Sequence, residues 1–508
     1  MVFGMRQMLI CANHAYQGLA LQKHLLGIDL GAGSLKATII DETGHVLGEA
    51  AHPVTTNVPC FGWSEQDPAE WFAALCAAVP AALAAAGLEA GAIAGIGISA
   101  GAHIPVLTDE AGVVLRNAIM WNDQRAAPQA AALHERAGAQ IIATSLNRVN
   151  PTWTLAMLAW LQESEPATMA KAKRLYLAKD WLRSCLTGSW ETDYSDAVGA
   201  LLADNETKTW SLALCSMIGL DPAILPPIVA PENITGVVTA EAAARTGLAA
   251  GTPVICGSND TTVEFFGVGA TSPGMGAIKL ATAGVLYLAT QGPAVYPPIS
   301  CYPHILPGLY YTATGTNSCA SAHRWMRDLM FADGGFEVMD GLAAATPRGA
   351  KGLLFHPYLQ GERAPYWDPL LRADFVGLTI SHGKPEFARA IYEGLAFSIR
   401  DLLEAARGEF MRSLGSSVAH WQANDLIFPV IEAHLRYKAP ARYDDLLTIE
   451  VWPTLVKGVR VNFGHRVLNE AGKLLLEAET FHACTGILEK LKPVPRELAL
   501  KFENYVSR

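Results

Sequence analysis

GIDLGAGSLKA, residues 27–37, sets an aspartate near the end of a short apolar run, then a turn of small residues, then a second apolar run. Reading outward, LLGIDL (25–30), LKATII (35–40) and HVLGEA (45–50) are separated by GAGS and DETG. Short apolar runs divided by turn chemistry predict three consecutive strands joined by tight turns. A turn free of bulky side chains lets backbone N–H groups approach phosphate oxygens. Asp29 is placed to hold Mg²⁺, directly or through water, because hard cations prefer oxygen ligands. Taken alone, the segment also reads as an ordinary hairpin with a surface aspartate.

The rest of the chain fits a globular protein of several domains: it has 508 residues, 51% of them hydrophobic and 17% charged. A net charge of −10 and the lack of a basic cluster argue against a nucleic-acid partner. The nine cysteines are scattered without a C-x-x-C pair, which suggests reduced thiols in a cytosol rather than disulfides or a zinc site. The first residues lack the long apolar segment of a signal peptide, so a cytoplasmic location is expected. The longest apolar run, WFAALCAAVPAALAAAG (71–87), is mostly alanine. With Asp67 as cap, Pro68 at the first helical position and Gly87 at the end, it predicts a soluble helix and no membrane partner.

After that helix, strands and helices alternate, beginning with IAGIGISA (93–100). IKLATAGV (278–285) repeats the pattern of IDLGAGSL (28–35), which suggests two related lobes. LATAGV is then a second phosphate hairpin, with Thr282 and Gly284 at its turn. In PVICGSNDTTVEFFGVGA (253–270), Asp260 follows a buried-looking strand and opens a helix. A carboxylate there suits a general base for phosphoryl transfer, and it equally suits a helix N-cap.

These segments, with GWSEQDPAEW (62–71), AHIPVLTD (102–109), WNDQR (121–125), KDWLRSCLTG (179–188), SDAVG (195–199), GERAPYWDP (361–369) and FVGLTISHG (375–383), carry a resemblance. From about 24 to 403 the chain resembles the FGGY family of carbohydrate kinases, xylulokinases above all. The resemblance implies an ATP- and Mg²⁺-dependent sugar kinase with two ribonuclease-H-like, actin-like lobes and a small-molecule sugar substrate. It makes Asp260 the catalytic base and Asp29, with Asp260, the metal carboxylates. The phosphate contacts fall on Gly31, Gly33, Ser34 and Lys36 in one hairpin and on Thr282 and Gly284 in the other. The sugar side falls on Ala102, His103, Trp63, Asn122 and Asp123. Departures are Ala32 in place of a hydroxyl residue, Ala281 and Ala283 in the second turn, and Ser99-Ala100-Gly101 where a glutamine is frequent. They leave the identity of the sugar open, with xylulose first and other ketoses or polyols as alternatives.

YEGLAFSIRDLLEAARGEFMRSLG (392–415) reads as one helix with apolar residues at three- and four-residue spacing, closed by Gly415. Its first half continues the kinase, but the glycine-rich adenosine loop that follows in the family is missing. Its second half, PVIEAHLRYKAPARYDDLLTIEV (429–451) and LLLEAETFHACTG (474–486) resemble hotdog-fold acyl-CoA thioesterases of the 4-hydroxybenzoyl-CoA thioesterase type. The region after 429 predicts a four-stranded antiparallel meander. The expected architecture is therefore α/β: an extension over 1–23, a sugar lobe over 24–254, a truncated second lobe over 255–403, and a partial α+β hotdog domain over 404–508. Exposed sheet edges on both remnants predict association, and a homodimer through the hotdog part is the gentler form of it. Beside pentulose phosphorylation stand two alternatives: acyl-CoA thioester hydrolysis, for which Glu404 and Glu409 are the available carboxylates, and an inactive fusion that keeps at most sugar binding.

Overall fold

The computed structural model describes residues 24–295, 299–332, 334–359, 361–366, 368, 370–413, 426, 430–439, 446–469, 471–486, 490–496 and 499–500. For 403–413 and several positions between 430 and 451 only the backbone is described. The extension over 1–23, the side chains of Glu404 and Glu409, and the closing Gly415 thus lie outside the described residues. Two compact units are distinguished. The first runs to Gly269 and takes in Tyr302–Gly308, and the second holds Ala270–Cys301 and the chain from Leu309 on.

In the first unit, β1 (His24–Leu30), β2 (Ser34–Ile40) and β3 (Val46–Pro53) form the expected antiparallel meander. β4 (Ile93–Ala100) lies parallel to β1, and β6 (Pro253–Ile255) parallel to β4, with β5 (Ile234–Val237) outside it. The sheet order is β5-β6-β4-β1-β2-β3. Because β1, β4 and β6 run the same way, their carboxyl ends emerge along one edge. Ligands of open α/β sheets bind at such an edge.

Alternation along β1 decides which residues reach the core. Leu26, Ile28 and Leu30 share a fully apolar core with Trp71, Leu75 and Val79 of helix α1 (Pro68–Ala86) and with Leu182 and Leu186 of α2 (Ala178–Thr187). Each such side chain contributes roughly 1.5–3 kcal/mol on burial. Leu25 joins a second cluster on the other face, with Val263 and Phe266 of α4 (Asp260–Gly267); α3 is Tyr194–Gly199. The caps of α1 are the ones its sequence signals: Asp67 accepts from the Ala69 N–H at 2.9 Å, and Gly87 closes the helix at φ 64°. α1 is long and apolar enough to cross a membrane, yet Trp71, Leu75 and Val79 are wholly buried in this protein core.

The second unit opens with β7 (Met275–Leu280) and β8 (Gly284–Thr290), followed by β9 (Ser300–Pro303), β10 (Tyr310–Thr316) and α5 (Ala320–Met330). The hairpin between β7 and β8 pairs Leu280 with Gly284 and turns over 281–283, whereas that between β1 and β2 pairs Leu30 with Leu35, so both repeated segments are antiparallel hairpins and the first turn is one residue longer. Helix α6 (Lys384–Ser413) runs without a break through Glu404 and Gly408. It buries Ile391 and Leu402 and packs Ile399 against Ile278 and Leu286.

The C-terminal region forms four antiparallel strands, β11 (Val430–Tyr437), β12 (Leu446–Lys457), β13 (Arg460–Leu468) and β14 (Leu474–Ala483), in agreement with the alternation of its sequence. They do not stand apart as a sheet of their own. β12 pairs antiparallel with β7 over Met275–Lys279 and Leu446–Glu450, giving one eight-stranded sheet in the order β9-β10-β8-β7-β12-β13-β14-β11. The edge expected to be left open on the truncated kinase lobe is thus occupied. An unpaired row of N–H and C=O groups is costly, and a strand from the same chain satisfies it.

Candidate active site

The carboxyl ends of β1, β4 and β6 bring the first group of candidates together. Asp29 lies directly opposite Lys36 of β2 and Ser99 of β4, so the three side chains leave the same face of the sheet. Ser99 Oγ donates to Asp29 Oδ1 at 2.8 Å. After β6, Gly257 takes φ +74°, and a Cβ on it would come within 2.1 Å of the Ile98 carbonyl oxygen. Only glycine lets the loop cross β4 this closely, and three residues later Asp260 starts α4. The helix is capped by Asn259, whose Oδ1 accepts from the Thr262 N–H at 3.0 Å. The cap reading of Asp260 is thereby corrected: the role belongs to its neighbour. Asp260 Oδ1 accepts from the Thr261 N–H at 2.6 Å.

Asp29 feels Asp260 electrostatically. Burial and then the Asp260 charge push the Asp29 carboxyl up to about 7, against the pull of the Ser99 hydrogen bond. The Asp260 charge thus disfavours ionisation of Asp29. A hard divalent cation with oxygen ligands suits that donor set. Among the described residues no cluster of three or more His, Cys, Asp or Glu side chains forms a cage, so a cation here would need oxygens from elsewhere. The adjoining turn is held from outside: the Ala32 carbonyl accepts from Gln66 Nε2 at 2.7 Å, and the Gly31 N–H donates to the Ser34 carbonyl at 3.0 Å. Ala32, Gly33 and Lys36 are exposed, while Gly31 and Ser34 are half-buried.

His103 follows β4 and takes φ +66°, a left-handed conformation rare outside glycine. Its N–H donates to Asp196 Oδ1 at 3.4 Å, and its carbonyl accepts from Thr154 Oγ1 at 2.8 Å. The ring lies 4.7 Å from that of Trp153 and stacks 5.8 Å from Tyr302, with Nε2 3.3 Å from the Tyr302 hydroxyl. Gly199 lies beneath it, where a Cβ would meet Cε1 at 2.2 Å. Burial pushes the His103 pKa down to about 3, so the imidazole is neutral. Nδ1 has no hydrogen-bond partner among the described residues, although Asp196 Oδ1 is 3.7 Å away.

The remaining sugar-side candidates divide. Ala102 and Trp63 are half-buried and Asn122 is exposed. The Arg125 guanidinium lies 3.7 Å over the Trp63 ring, whose other neighbour is Trp160 at 5.4 Å. Asp123 is a correction. It is 1% exposed and accepts from the Ser64 N–H at 2.6 Å and from Arg125 N, Nε and Nη2 at 2.8, 3.0 and 2.8 Å. These bonds fill a carboxylate's acceptor capacity. Asp123 therefore positions the 62–66 loop instead of contacting a ligand.

In the second unit, Thr282 is exposed at its turn and tied to α5. Its carbonyl accepts from the Cys319 N–H at 3.1 Å and from Ser321 Oγ at 2.9 Å, and its hydroxyl from Arg324 Nη2 at 2.9 Å. Gly284 is buried, with space for a Cβ closed by Ile399 Cδ1 at 2.7 Å.

Sequence reasoning missed Thr154, Tyr302 and a buried charge cluster. Lys179 Nζ lies 2.5, 2.9 and 3.8 Å from Asp180, Asp193 and Asp196, all of them buried, and Arg183 pairs with Asp180 at 2.7 Å. The available signal was a run of charges, KDWLR, opening an otherwise apolar helix.

Comparison with known proteins gives three family matches. The FGGY family of carbohydrate kinases matches through its N-terminal domain over residues 24–267 and its C-terminal domain over 277–417. The thioesterase superfamily matches over 400–476, so the two overlap over 400–417, beginning inside α6. A xylulose kinase of Bacillus subtilis is 33% identical over 387 residues, 76% of this chain and 78% of that protein. One of Lactococcus lactis is 33% identical over 380 residues, covering 74% and 76%. A crystal structure described as a xyloylose kinase from Brucella ovis superposes with TM-score 0.71 at 34% identity, covering 78% of this chain and 80% of that one.

Proposed function

The chain belongs to the FGGY family of carbohydrate kinases, and on that premise we propose that it phosphorylates a pentulose, xylulose before others, with Asp260 as general base. It is a phosphotransferase with an alcohol acceptor, acting on a small-molecule sugar with ATP and Mg²⁺. In the proposed reaction Asp260 takes the proton of a substrate hydroxyl. The hydroxyl oxygen bonds to the γ-phosphorus, and the bond to the β-phosphate oxygen breaks to release ADP. Asp29 and Asp260 are the residues that would hold Mg²⁺, which when bound neutralises triphosphate charge. The turn at Gly31–Ser34, with Lys36, offers N–H groups and a cation to phosphate oxygens, and Thr282 and Gly284 are the corresponding positions of the second hairpin. The neutral His103, held by Asp196 and Thr154, stands on the sugar side alongside Ala102, Trp63 and Asn122.

One observation carries this reading. Asp29 near the end of β1 and Asp260 at the start of α4, just after β6, stand at one edge of the same sheet, where burial first and the Asp260 charge second raise the Asp29 pKa to about 7. The test is sugar-dependent ADP release from Mg-ATP over a panel of ketoses and polyols. Xylulose is expected to rank first, and Asp260→Asn should abolish turnover while leaving the melting temperature intact. No release with any sugar would overturn the assignment.

Sugar-side boundaries of 24–254, a truncated lobe over 255–403 and a hotdog-derived part over 404–508 belong to the same proposal, as does pairing of two chains through that last part. We place the protein in the cytoplasm, in keeping with eight described cysteines that are all free thiols.

A further inference from the structure

Lys179 sits wholly buried at the start of α2. Burial alone would drive its proton off. The neighbouring Asp180, Asp193 and Asp196 outweigh that effect and hold it cationic. Two of these carboxylates lead onward. Asp193 Oδ1 accepts from the N–H groups of Ser195 and Asp196 and from Ser258 Oγ at 2.9 Å, two residues before Asp260. Asp196 Oδ1 accepts from the N–H of His103, whose left-handed backbone is held from the other side by Thr154 Oγ1 at 2.8 Å. A strained residue persists only where its surroundings over-determine it, and here they are a buried carboxylate and a buried hydroxyl.

We infer that Lys179 is a positioning residue: through Asp196 and Asp193 it fixes the acceptor-side His103 and the loop carrying Asp260 as one unit. What those two residues do rests on the phosphotransferase reading; that one buried cluster fixes both does not. The two arms meet at Lys179, which pairs with both carboxylates, and at the start of α3, where Asp193 accepts from the Asp196 N–H.

Three variants separate the arms. Thr154→Val removes only the hydroxyl on His103, Thr154→Ser keeps it, and Asp193→Asn breaks the Oδ2 ion pair with Lys179 while its amide oxygen still accepts from Ser258 and the first N–H groups of α3. Backbone hydrogen exchange of 101–104 and 257–261 in the ligand-free full chain is the first readout. Asp193→Asn is expected to accelerate exchange in both segments, and Thr154→Val in 101–104. Steady-state kinetics are the second readout. Thr154→Val is expected to raise the sugar KM about tenfold, the equivalent of one lost hydrogen bond, with kcat changed by less than about twofold. Thr154→Ser should restore it, which a loss of packing would not. Acceleration confined to 257–261 in Asp193→Asn would overturn the coupling. Equal loss of kcat and KM in Thr154→Val and Thr154→Ser would overturn the positioning role. If the native chain releases no ADP with any sugar, the kinase reading fails, while the exchange data still decide the cluster.

Discussion

Asp29 and Ser99 meet because parallel strands place residues of matching register side by side, and the Asp29 carboxyl is buried there beside a second acid. Its acid form is favoured by the fold, with the pKa moved from 3.8 to about 7. Stability tied to such a group is complete below the unfolded value and is lost as the pH rises through the folded one. Without nucleotide or metal, Asp29→Asn should therefore melt higher than the native chain at pH 8, with the gain shrinking to nothing near pH 4. A rise of this size is worth at most about 4 kcal/mol at the upper pH, and partial solvent access reduces it. Thermal melts across that range check it, and a difference independent of pH would contradict it. The strand-and-turn pattern placed Asp29 near the end of β1 and Asp260 at the start of α4, where they stand, while His103 was singled out by the family resemblance alone. The role of Asp123 was not legible in sequence, since WNDQR shows a free carboxylate in sequence and a saturated one in space. The Lys179 cluster was illegible for a similar reason: its partners are up to 17 positions apart, and nothing in the string says that they turn inward.

At the scale of elements, glycines that look like defects are sites of contact. Gly394 interrupts α6 in sequence, yet the helix continues, because a Cβ there would lie 2.3 Å from the Phe355 carbonyl oxygen of the strand Leu354–His356. Two effects oppose each other in Gly394→Ala. Helix propensity gains roughly 0.5–1 kcal/mol, whereas forcing a backbone contact apart costs about 1–3 kcal/mol. The clash should win, so the variant is expected to unfold at lower denaturant with an unchanged m-value. Equal or greater stability would show that the strand can move away. The meander over 430–483 was foreseen from alternating hydrophobicity, but its partner was not. Period-two patterning tells which face of a strand is buried and carries no information about which strand lies beside it. That β12 docks on β7, immediately before the 281–283 turn, emerges only in three dimensions.

The whole chain joins two families, whose matches overlap over residues 400–417, beginning inside α6. The join is tolerable because the α6 backbone continues to Ser413 behind the packed Ile399 and Leu402 and because β12 satisfies the edge of β7. Chemistry is affected unequally. The carboxylate pair, the Gly31–Ser34 turn and His103 all lie in the first unit, where the match to the FGGY N-terminal domain spans 24–267. Among the described residues, thioesterase-like strands follow α6, where the family resemblance would place a glycine-rich adenosine loop. Adenine stacking contributes to nucleotide affinity and little to the sugar site. ATP and sugar should therefore separate: sugar binding by calorimetry is expected to persist, while the KM for Mg-ATP should lie above the roughly 1 mM upper end of ordinary enzymes. Initial rates against ATP at saturating xylulose measure it. A sub-millimolar KM would mean that the β7–β12 region supplies an adenosine wall of its own, and loss of sugar binding would place the damage in the first unit. Acyl-CoA hydrolysis, run in the same preparation, is expected to be blank. An activity there that survives Asp260→Asn would assign the thioesterase-like strands a chemistry independent of the kinase.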